Sequence, residues 1–304
     1  MTLFYFDDAL ERHDTGPGHP ESPARLATVR EAVRKALPTL DERRPTPASD
    51  AALALAHTEA HVERVISLTP AEGLVLVDGD TVMSPESLRA ARLASGALVD
   101  ATDAVLGGVA SGAFCAVRPP GHHAERERAM GFCFFNSIAV AACRALDTHG
   151  VDRVAILDFD VHHANGTEDI FRNDPRVLLC SSFQHPHYPY TNSPSVEGEL
   201  VNVPLKAGTG SQAFRDALAA TWWPALAAFD PDLILVSAGF DAHTDDPLGD
   251  LRLTDDDYGW LGKIIAEKAD RLCEGRVIAA LEGGYDLAAL GRSAARFCEG
   301  LARG

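Results

Sequence analysis

Residues 154–166 have the sequence VAILDFDVHHANG, in which a short apolar run leads directly into polar residues. The run Val154–Leu157 contains no polar residue, a pattern typical of a strand that is buried on both faces of a parallel sheet. A strand-like segment begins the chain at Leu3–Asp7. Similar apolar runs follow at Ala113–Val117, Val177–Cys180, Leu233–Val236 and Val277–Leu281.

Helical periodicity separates most of these runs. Apolar residues spaced by three and four positions predict helices at Glu21–Leu37, Glu59–Leu68, Pro85–Leu106, Ser137–Thr148, Gln212–Phe229, Asp255–Leu272 and Leu287–Leu301. Strands that alternate with helices predict a mostly parallel β-sheet with helices on both faces. Because no Pro/Gly/Ser-rich linker divides the 304 residues, we expect residues 1–304 to form a single α/β domain.

The composition narrows the possible partners and the compartment. The net charge of −17 disfavours direct binding of nucleic acid or of an anionic membrane, because both carry negative charge. The N-terminus lacks a secretion signal, and no apolar stretch is long enough to span a membrane. The six cysteines form no CxxC pair and are predicted to be reduced core residues. We therefore expect a cytoplasmic protein; the oligomeric state is left open.

Chemically active residues follow the predicted strands. The segments that come directly after the apolar runs are 118–124, 158–166, 181–185, 237–243 and 282–285, and together they contain His, Asp, Gly and Tyr. In an open parallel sheet, ligands bind in the crevice beyond the carboxyl ends of the strands. We therefore expect these segments to form one site at one edge of the sheet.

Two aspartates and a histidine in these segments predict a metal site. In an extended segment Asp158, Asp160 and His162 project to the same side, because side chains alternate. A catalytic zinc needs three protein ligands and one open position. Asp160 and His162 supply two ligands, and Asp241 is placed to supply the third. The competing interpretation is a carboxylate that caps a helix beside a surface histidine.

Three further residues suit proton transfer and oxyanion binding. His122 and His123 follow two prolines and a glycine, and a rigid pair of imidazoles suits general acid and base catalysis near neutral pH. Tyr285 follows two glycines, and a phenol there could donate a hydrogen bond to a developing oxyanion. The alternative for Tyr285 is packing at the sheet rim. Phe132, beside Gly131, is predicted to line a substrate channel.

Five blocks of sequence resemble the signature blocks of one family. They are RPPGHHA (118–124), GFCFFN (131–136), DFDVHHANGT (158–167), AGFDAH (238–243) and EGGY (282–285). In this order they resemble the histone deacetylase superfamily, which has the arginase/deacetylase fold and includes acetylpolyamine amidohydrolases. Glu282 and Asn165 resemble its class II branch. The segment HDTGPGHPESPARL (13–26) extends the resemblance to nearly the whole chain.

The resemblance implies a role for each residue of the site. It implies one zinc ion per chain, held by Asp160, His162 and Asp241. It implies a catalytic group made of His122, His123 and Tyr285, with Asp158 and Asn165 orienting the two histidines. It also implies a structural potassium ion near Asp158, Asp160, His162 and Ser182.

The resemblance also implies a narrow channel for the acylated side chain. Phe132 and Gly131 match one wall, and Gly283 is expected to contact the substrate beside Tyr285. Tyr188 is the predicted opposite wall, although residues 183–192 depart from the Phe-Pro-Gly pattern of the family. Phe159 and Ala164 also depart from the commoner tryptophan and glycine.

The resulting hypothesis is hydrolysis of an N-acetylated amine, either acetyl-lysine in a peptide or an acetylpolyamine, by metal-activated water. One alternative is a dimanganese ureohydrolase of the same fold, which would need an aspartate two places after His162. The other is a catalytically silent protein that binds acyl-lysine. Iron or cobalt would also suit the ligands. A carboxylate at the channel mouth would favour polyamines, and the candidates are Glu21, Glu125, Glu127 and Asp245, each expected to be a solvated surface charge.

Overall fold

Ten strands occur in the computed structural model, which describes residues 2–302. They are β1 (Thr2–Tyr5), β2 (Asp41–Arg43), β3 (Val75–Leu76), β4 (Val82–Met83), β5 (Gly112–Cys115), β6 (Val154–Asp158), β7 (Val177–Gln184), β8 (Leu200–Leu205), β9 (Leu233–Ala238) and β10 (Val277–Leu281). Eight of them form a sheet in the order β2-β1-β5-β10-β9-β6-β7-β8. Every pairing in this sheet is parallel, whereas β3 and β4 form a separate antiparallel pair.

Helices cover the sheet. They are α1 (Ala24–Ala36), α2 (Asp50–Leu53), α3 (Glu59–Leu68), α4 (Ser87–Leu106), α5 (Ser137–Thr148), α6 (Asn165–Phe171), α7 (Ser211–Ala220), α8 (Trp222–Phe229), α9 (Asp255–Leu272) and α10 (Leu287–Leu301), with a 3-10 turn at Asp8–Arg12. Helix α10 packs against both α1 and α9, and α4 packs against α5. Within residues 2–302, no helix is long and apolar enough to cross a membrane.

The strand order explains why the site forms where it does. The five central neighbours β5, β10, β9, β6 and β7 are buried along their whole length. Because successive side chains face opposite sides, full burial means that both faces of these strands are covered. Since the strands are parallel, their carboxyl ends lie at the same edge. The polar segments that follow them along the chain therefore meet there.

The predicted α/β class and parallel sheet are confirmed, with three corrections. The run Val177–Cys180 is too short, because β7 continues through Gln184 while it pairs with β8. The predicted helix Gln212–Phe229 is two helices that meet at Thr221, whose φ of −123° and ψ of −63° break the helix. The edge strands β2 and β8 were missed, because they are partly exposed and lack a continuous apolar run. All six cysteines are buried, as expected for core residues.

Candidate metal and catalytic site

The polar segments enclose a cavity of about 200 Å³ at the carboxyl edge of the sheet. Its lining includes the predicted catalytic residues His122, His123 and Tyr285, the predicted ligand His162, and the predicted substrate-binding residues Gly131, Phe132, Tyr188 and Gly283. Phe132 and Tyr188 lie next to the predicted catalytic residues. The Phe132 ring lies 6.0 Å from the Tyr285 ring, and the Tyr188 ring lies 5.2 Å from the His123 ring. The structure therefore brings these eight sequence-predicted residues together around one cavity, called the channel below.

The predicted metal ligands form a compact group beside this cavity. One potential ligand atom from each of Asp160, His162 and Asp241 lies within 4.8 Å of the others, and all three residues are buried. His162 Nδ1 lies 2.9 Å from Asp160 Oδ1 and 3.2 Å from Asp241 Oδ2. Asp241 Oδ2 satisfies no hydrogen-bond geometry with any described residue. Two carboxylates and an imidazole form a donor set that zinc accepts.

Two glycines make room for the carboxylates. A Cβ atom on Gly283 would lie 1.9 Å from Asp241 Oδ2 and 2.6 Å from Asp160 Oδ2. A Cβ atom on Gly239 would lie 2.2 Å from Asp160 Oδ2. The Gly283 N–H donates to Asp160 Oδ2 over 2.8 Å. The backbone therefore approaches the two carboxylates so closely that only glycine fits, and it holds one of them in position.

The electrostatics of the group favour a cation. Burial, reinforced by the charge of Asp160, raises the pKa of Asp241 to about 7. Burial opposes protonation of His162, but Asp160 and Asp241 outweigh it and raise the pKa of this imidazole to about 10. Buried carboxylates at this separation are stabilised by a positive charge between them. The residues present therefore fit a divalent metal ion.

The two histidines of the predicted catalytic pair have different partners. His122 Nδ1 lies 3.0 Å from Asp158 Oδ2, whereas His123 Nδ1 lies 2.7 Å from Asn165 Oδ1. Burial opposes the charged form of both. For His122 the carboxylates of Asp160 and Asp158 outweigh burial and raise the pKa. For His123, burial and the neighbouring His122 lower the pKa. Both ring orientations are thus set by a hydrogen bond at Nδ1.

Tyr285 is held by its backbone and its ring. Asp246 Oδ2 accepts a hydrogen bond from the Tyr285 N–H over 2.6 Å. Arg25 donates from Nε to the carbonyl oxygen of Gly284 over 2.6 Å, and its guanidinium lies 4.9 Å from the Tyr285 ring centroid. Burial raises the pKa of the phenol well above its usual value, so the hydroxyl stays protonated and can donate. Sequence analysis did not predict Arg25 or Asp246 as supports of Tyr285.

Glu21 is not at the channel mouth and is not a surface charge, contrary to expectation. Its side chain is fully buried, and Arg118 donates to it from Nε and Nη2, each over 2.7 Å. Arg25 Nη1 also donates to Glu21 Oε1, over 3.0 Å. Burial opposes ionisation of Glu21, but Arg118 outweighs it and lowers the pKa to about 2. The cluster of Glu21, Arg118 and Arg25 thus holds Arg25 in place, and Arg25 contacts the Tyr285 ring.

We expect Glu21→Gln to lower the free energy of unfolding by about 3 kcal/mol at pH 7. The Glu21 pKa falls from 4.5 to about 2 on folding, and each pKa unit corresponds to roughly 1.4 kcal/mol. Because the folded pKa is the lower one, this stabilisation is present above pH 4.5 and is lost as the pH falls towards 2. Urea titrations at pH 7 and pH 3.5 measure the difference from wild type. The exposed Glu63→Gln is the control, and a pH-independent difference for Glu21→Gln would contradict the assignment.

The other proposed mouth carboxylates lie elsewhere. Glu125 Oε1 accepts a hydrogen bond from Asn165 Nδ2 over 2.9 Å, and thus holds the amide that contacts His123. Asp245 is exposed and lies 3.6 Å from Arg292. Glu127 lines a different cavity. The carboxylate that does line the channel is Asp80, between β3 and β4, which accepts from the Gly131 N–H over 3.2 Å. Sequence analysis missed it, because no strand end or motif marks this hairpin.

The geometry agrees with comparisons to known proteins. A model of the histone deacetylase domain matches residues 19–301 of the chain. The chain belongs to the histone deacetylase family. The match spans the whole histone deacetylase site, from the buried Glu21 cluster to Tyr285, and the family resemblance is confirmed.

Individual relatives match nearly the whole chain. The chain is 41% identical to an uncharacterized protein of Synechocystis sp., over 96% of this chain and 97% of that one. It is 38% identical to a histone deacetylase-like amidohydrolase of Pseudomonas aeruginosa, over 93% of this chain and 81% of the relative. The crystal structure of the HDA15 HD domain superposes with a TM-score of 0.92 at 34% identity, covering 99% of this chain and 89% of that one. The arginase/deacetylase fold is thereby confirmed.

Proposed function

We propose that this histone deacetylase family member is a zinc-dependent deacetylase, with residues 1–304 acting as one catalytic domain. Its reaction is the hydrolysis of the amide bond of an N-acetylated amine. The observation that carries the proposal is the meeting of three candidate metal-ligand side chains, a buried histidine pair and a partly buried tyrosine around one channel of about 200 Å³. Such a channel admits an extended acylated chain and excludes most water from the reacting carbonyl.

Asp160, His162 and Asp241 would hold the zinc ion. When bound, zinc polarises the acetyl carbonyl and lowers the pKa of water, which can stabilise the transition state by several kcal/mol. Iron or cobalt would suit the same oxygen-rich ligand set, so the choice of zinc is part of the proposal. The potassium ion expected near Asp158, Asp160, His162 and Ser182 stays a prediction.

The remaining side chains move protons and bind the developing charge. Asn165 orients His123, which removes a proton from the attacking water. Asp158 orients His122, and the histidine pair then delivers a proton to the leaving amine. The Tyr285 phenol donates a hydrogen bond to the carbonyl oxygen as it becomes an oxyanion. This division of roles rests on the separate Nδ1 partners of the two histidines.

The channel walls favour a linear, amine-derived substrate. Phe132 and Tyr188 provide two aromatic walls, with Gly131 and Gly283 leaving space between them. The carboxylate of Asp80 lines the same channel and would accept a hydrogen bond from a substrate N–H or ammonium group. Acetyl-lysine in a peptide and an acetylpolyamine both carry such donors. We propose this substrate class, in the cytoplasm, with neither nucleic acid nor a membrane as a direct partner.

Two rival functions are less well supported. A dimanganese ureohydrolase needs a carboxylate two places after His162, but position 164 is alanine and Asn165 is engaged with His123. A catalytically silent acyl-lysine-binding protein would not need the supported tyrosine. Tyr285 nevertheless has its backbone and ring held by Asp246 and Arg25.

Metal content and turnover measured on the same purified sample test the proposal. The substrates are an acetyl-lysine peptide, N-acetylputrescine and N-acetylspermidine, each with and without a chelator. We expect one zinc ion per chain and acetate release that the chelator abolishes. Two ions per chain with urea release would favour the ureohydrolase, and full metal occupancy with no turnover on any acetylated amine would favour the silent binding protein.

A further inference from the structure

The loop between β7 and β8, residues 185–199, provides part of the channel wall although most of it is exposed. Its residues His187 and Tyr188 line the channel, and the His187 ring stacks on His162 at 5.1 Å. Exposed, irregular loops of this length are mobile unless they are tied to the body of the protein. The position of the Tyr188 wall therefore depends on the contacts that hold this loop.

Two side-chain tethers lie on either side of Tyr188. On one side His187 Nε2 lies 2.8 Å from the carbonyl oxygen of Leu248. On the other side Thr191 Oγ1 lies 2.7 Å from His163 Nδ1. His163 directly follows the proposed metal ligand His162, so the second tether fixes the substrate wall relative to the segment that carries the metal ligands.

His163 is itself fixed from behind. Its ring is buried and packs 4.5 Å from the Phe183 ring. Its Nε2 lies 3.0 Å from Glu168 Oε2, an electrostatic contact that does not meet hydrogen-bond geometry. The same Glu168 oxygen accepts from Asn202 Nδ2 over 3.1 Å. Burial opposes ionisation of Glu168, but contacts with His163, Ser193 and Asn202 outweigh it and lower the pKa to about 2. A charged carboxylate thus orients His163 towards the loop.

Asn202 extends this support along the loop. Its Nδ2 also donates to the carbonyl oxygen of Ser193 over 3.1 Å, and its backbone N–H donates to Ser195 Oγ over 3.0 Å. Glu168 and Asn202 belong to the body of the fold, on α6 and β8 respectively. His163 and Asn202 therefore hold one side of this mostly exposed loop, through contacts with Thr191, Ser193 and Ser195. Both residues contact the same buried carboxylate, that of Glu168.

We propose that His163, oriented by Glu168, is a positioning residue that holds the Tyr188 wall of the channel through Thr191. The proposal rests on the proposed function, since it concerns how the substrate is gripped rather than the chemical step. A loose Tyr188 weakens binding of the substrate chain, while the metal ligands, the histidine pair and Tyr285 keep their own supports. Loss of the tether therefore raises KM and leaves kcat nearly unchanged.

Thr191→Val tests this tether, because it removes the hydroxyl and keeps the side-chain shape on an exposed residue. With a coumarin-linked acetyl-lysine peptide as substrate, we expect KM to rise about fivefold, roughly the worth of one hydrogen bond, and kcat to change less than about twofold. Hydrogen–deuterium exchange in residues 186–195 should become faster. Thr191→Ser, which restores the hydroxyl, should return both readouts to wild type.

Thr209→Val is the matched control, because its hydroxyl donates within its own turn, to the carbonyl oxygen of Lys206. It should leave KM and the exchange of residues 186–195 unchanged. The inference is overturned if Thr191→Val leaves both readouts at wild-type values in an active enzyme. It is also overturned if kcat and thermal stability both fall while KM rises. Wild-type enzyme with metal bound but no turnover would instead defeat the proposed function, and the exchange measurement would still test the tether.

Discussion

The Tyr285→Phe variant is expected to fold normally and to lose at least about 10²–10³ in kcat, the contribution typical of one oxyanion donor. The ring stays, so its contact with Arg25 and the backbone hydrogen bond to Asp246 are retained. Only the donor is lost. Steady-state kinetics on an acetyl-lysine peptide, together with thermal unfolding of both proteins, measures the effect.

Tyr258→Phe is the matched control for that change. Tyr258 is buried, and its hydroxyl has no hydrogen-bond partner among the described residues, but it does not line the channel. This variant should keep wild-type kcat. Turnover of Tyr285→Phe close to that of wild type would remove Tyr285 from the reaction and leave it as a structural residue at the sheet rim.

The second large effect is expected for Gly283→Ala, which should lose zinc and activity together. The added methyl carbon would lie 1.9 Å from Asp241 Oδ2 and 2.6 Å from Asp160 Oδ2, far inside contact distance. The carboxylates must move apart, and zinc binds tightly only when its ligands keep bond lengths near 2 Å. We expect zinc affinity to fall by at least about 10–100-fold, the range seen when ligand orientation is disturbed.

Metal analysis after dialysis and competition with a chromophoric chelator measure that loss independently of turnover. Gly210→Ala is the control, because a Cβ atom there meets nothing closer than 3.9 Å. It should keep full zinc content and wild-type kcat. If Gly283→Ala retained one tightly bound zinc ion, the close fit of the backbone around the two carboxylates would not matter for metal binding.

Local sequence patterns were enough to predict the central strands and most of the helices. The run Val277–Leu281 and the helices at Ser137–Thr148 and Asp255–Leu272 have the predicted bounds, because continuous apolar runs and 3.6-residue periodicity are properties of neighbouring residues. Local patterns also placed the three candidate metal-ligand residues at one edge of the sheet. Strand ends mark Asp160, His162 and Asp241 along the chain, and parallel strands bring such ends to one edge.

Long-range contacts settled what no local pattern could. Asp80 reaches the channel from a two-stranded hairpin, and Glu21 turns from an apparent surface charge into a buried partner of Arg118, 97 positions away. The length of β7 depends on its pairing with β8. The position of the loop 185–199 depends on the contact between Thr191 and His163. Helical periodicity and the ends of strands depend on residues that are neighbours in the sequence. The partner of a charge, a hydroxyl or an edge strand is set by which distant segment packs against it, and that arises only when the whole chain is folded.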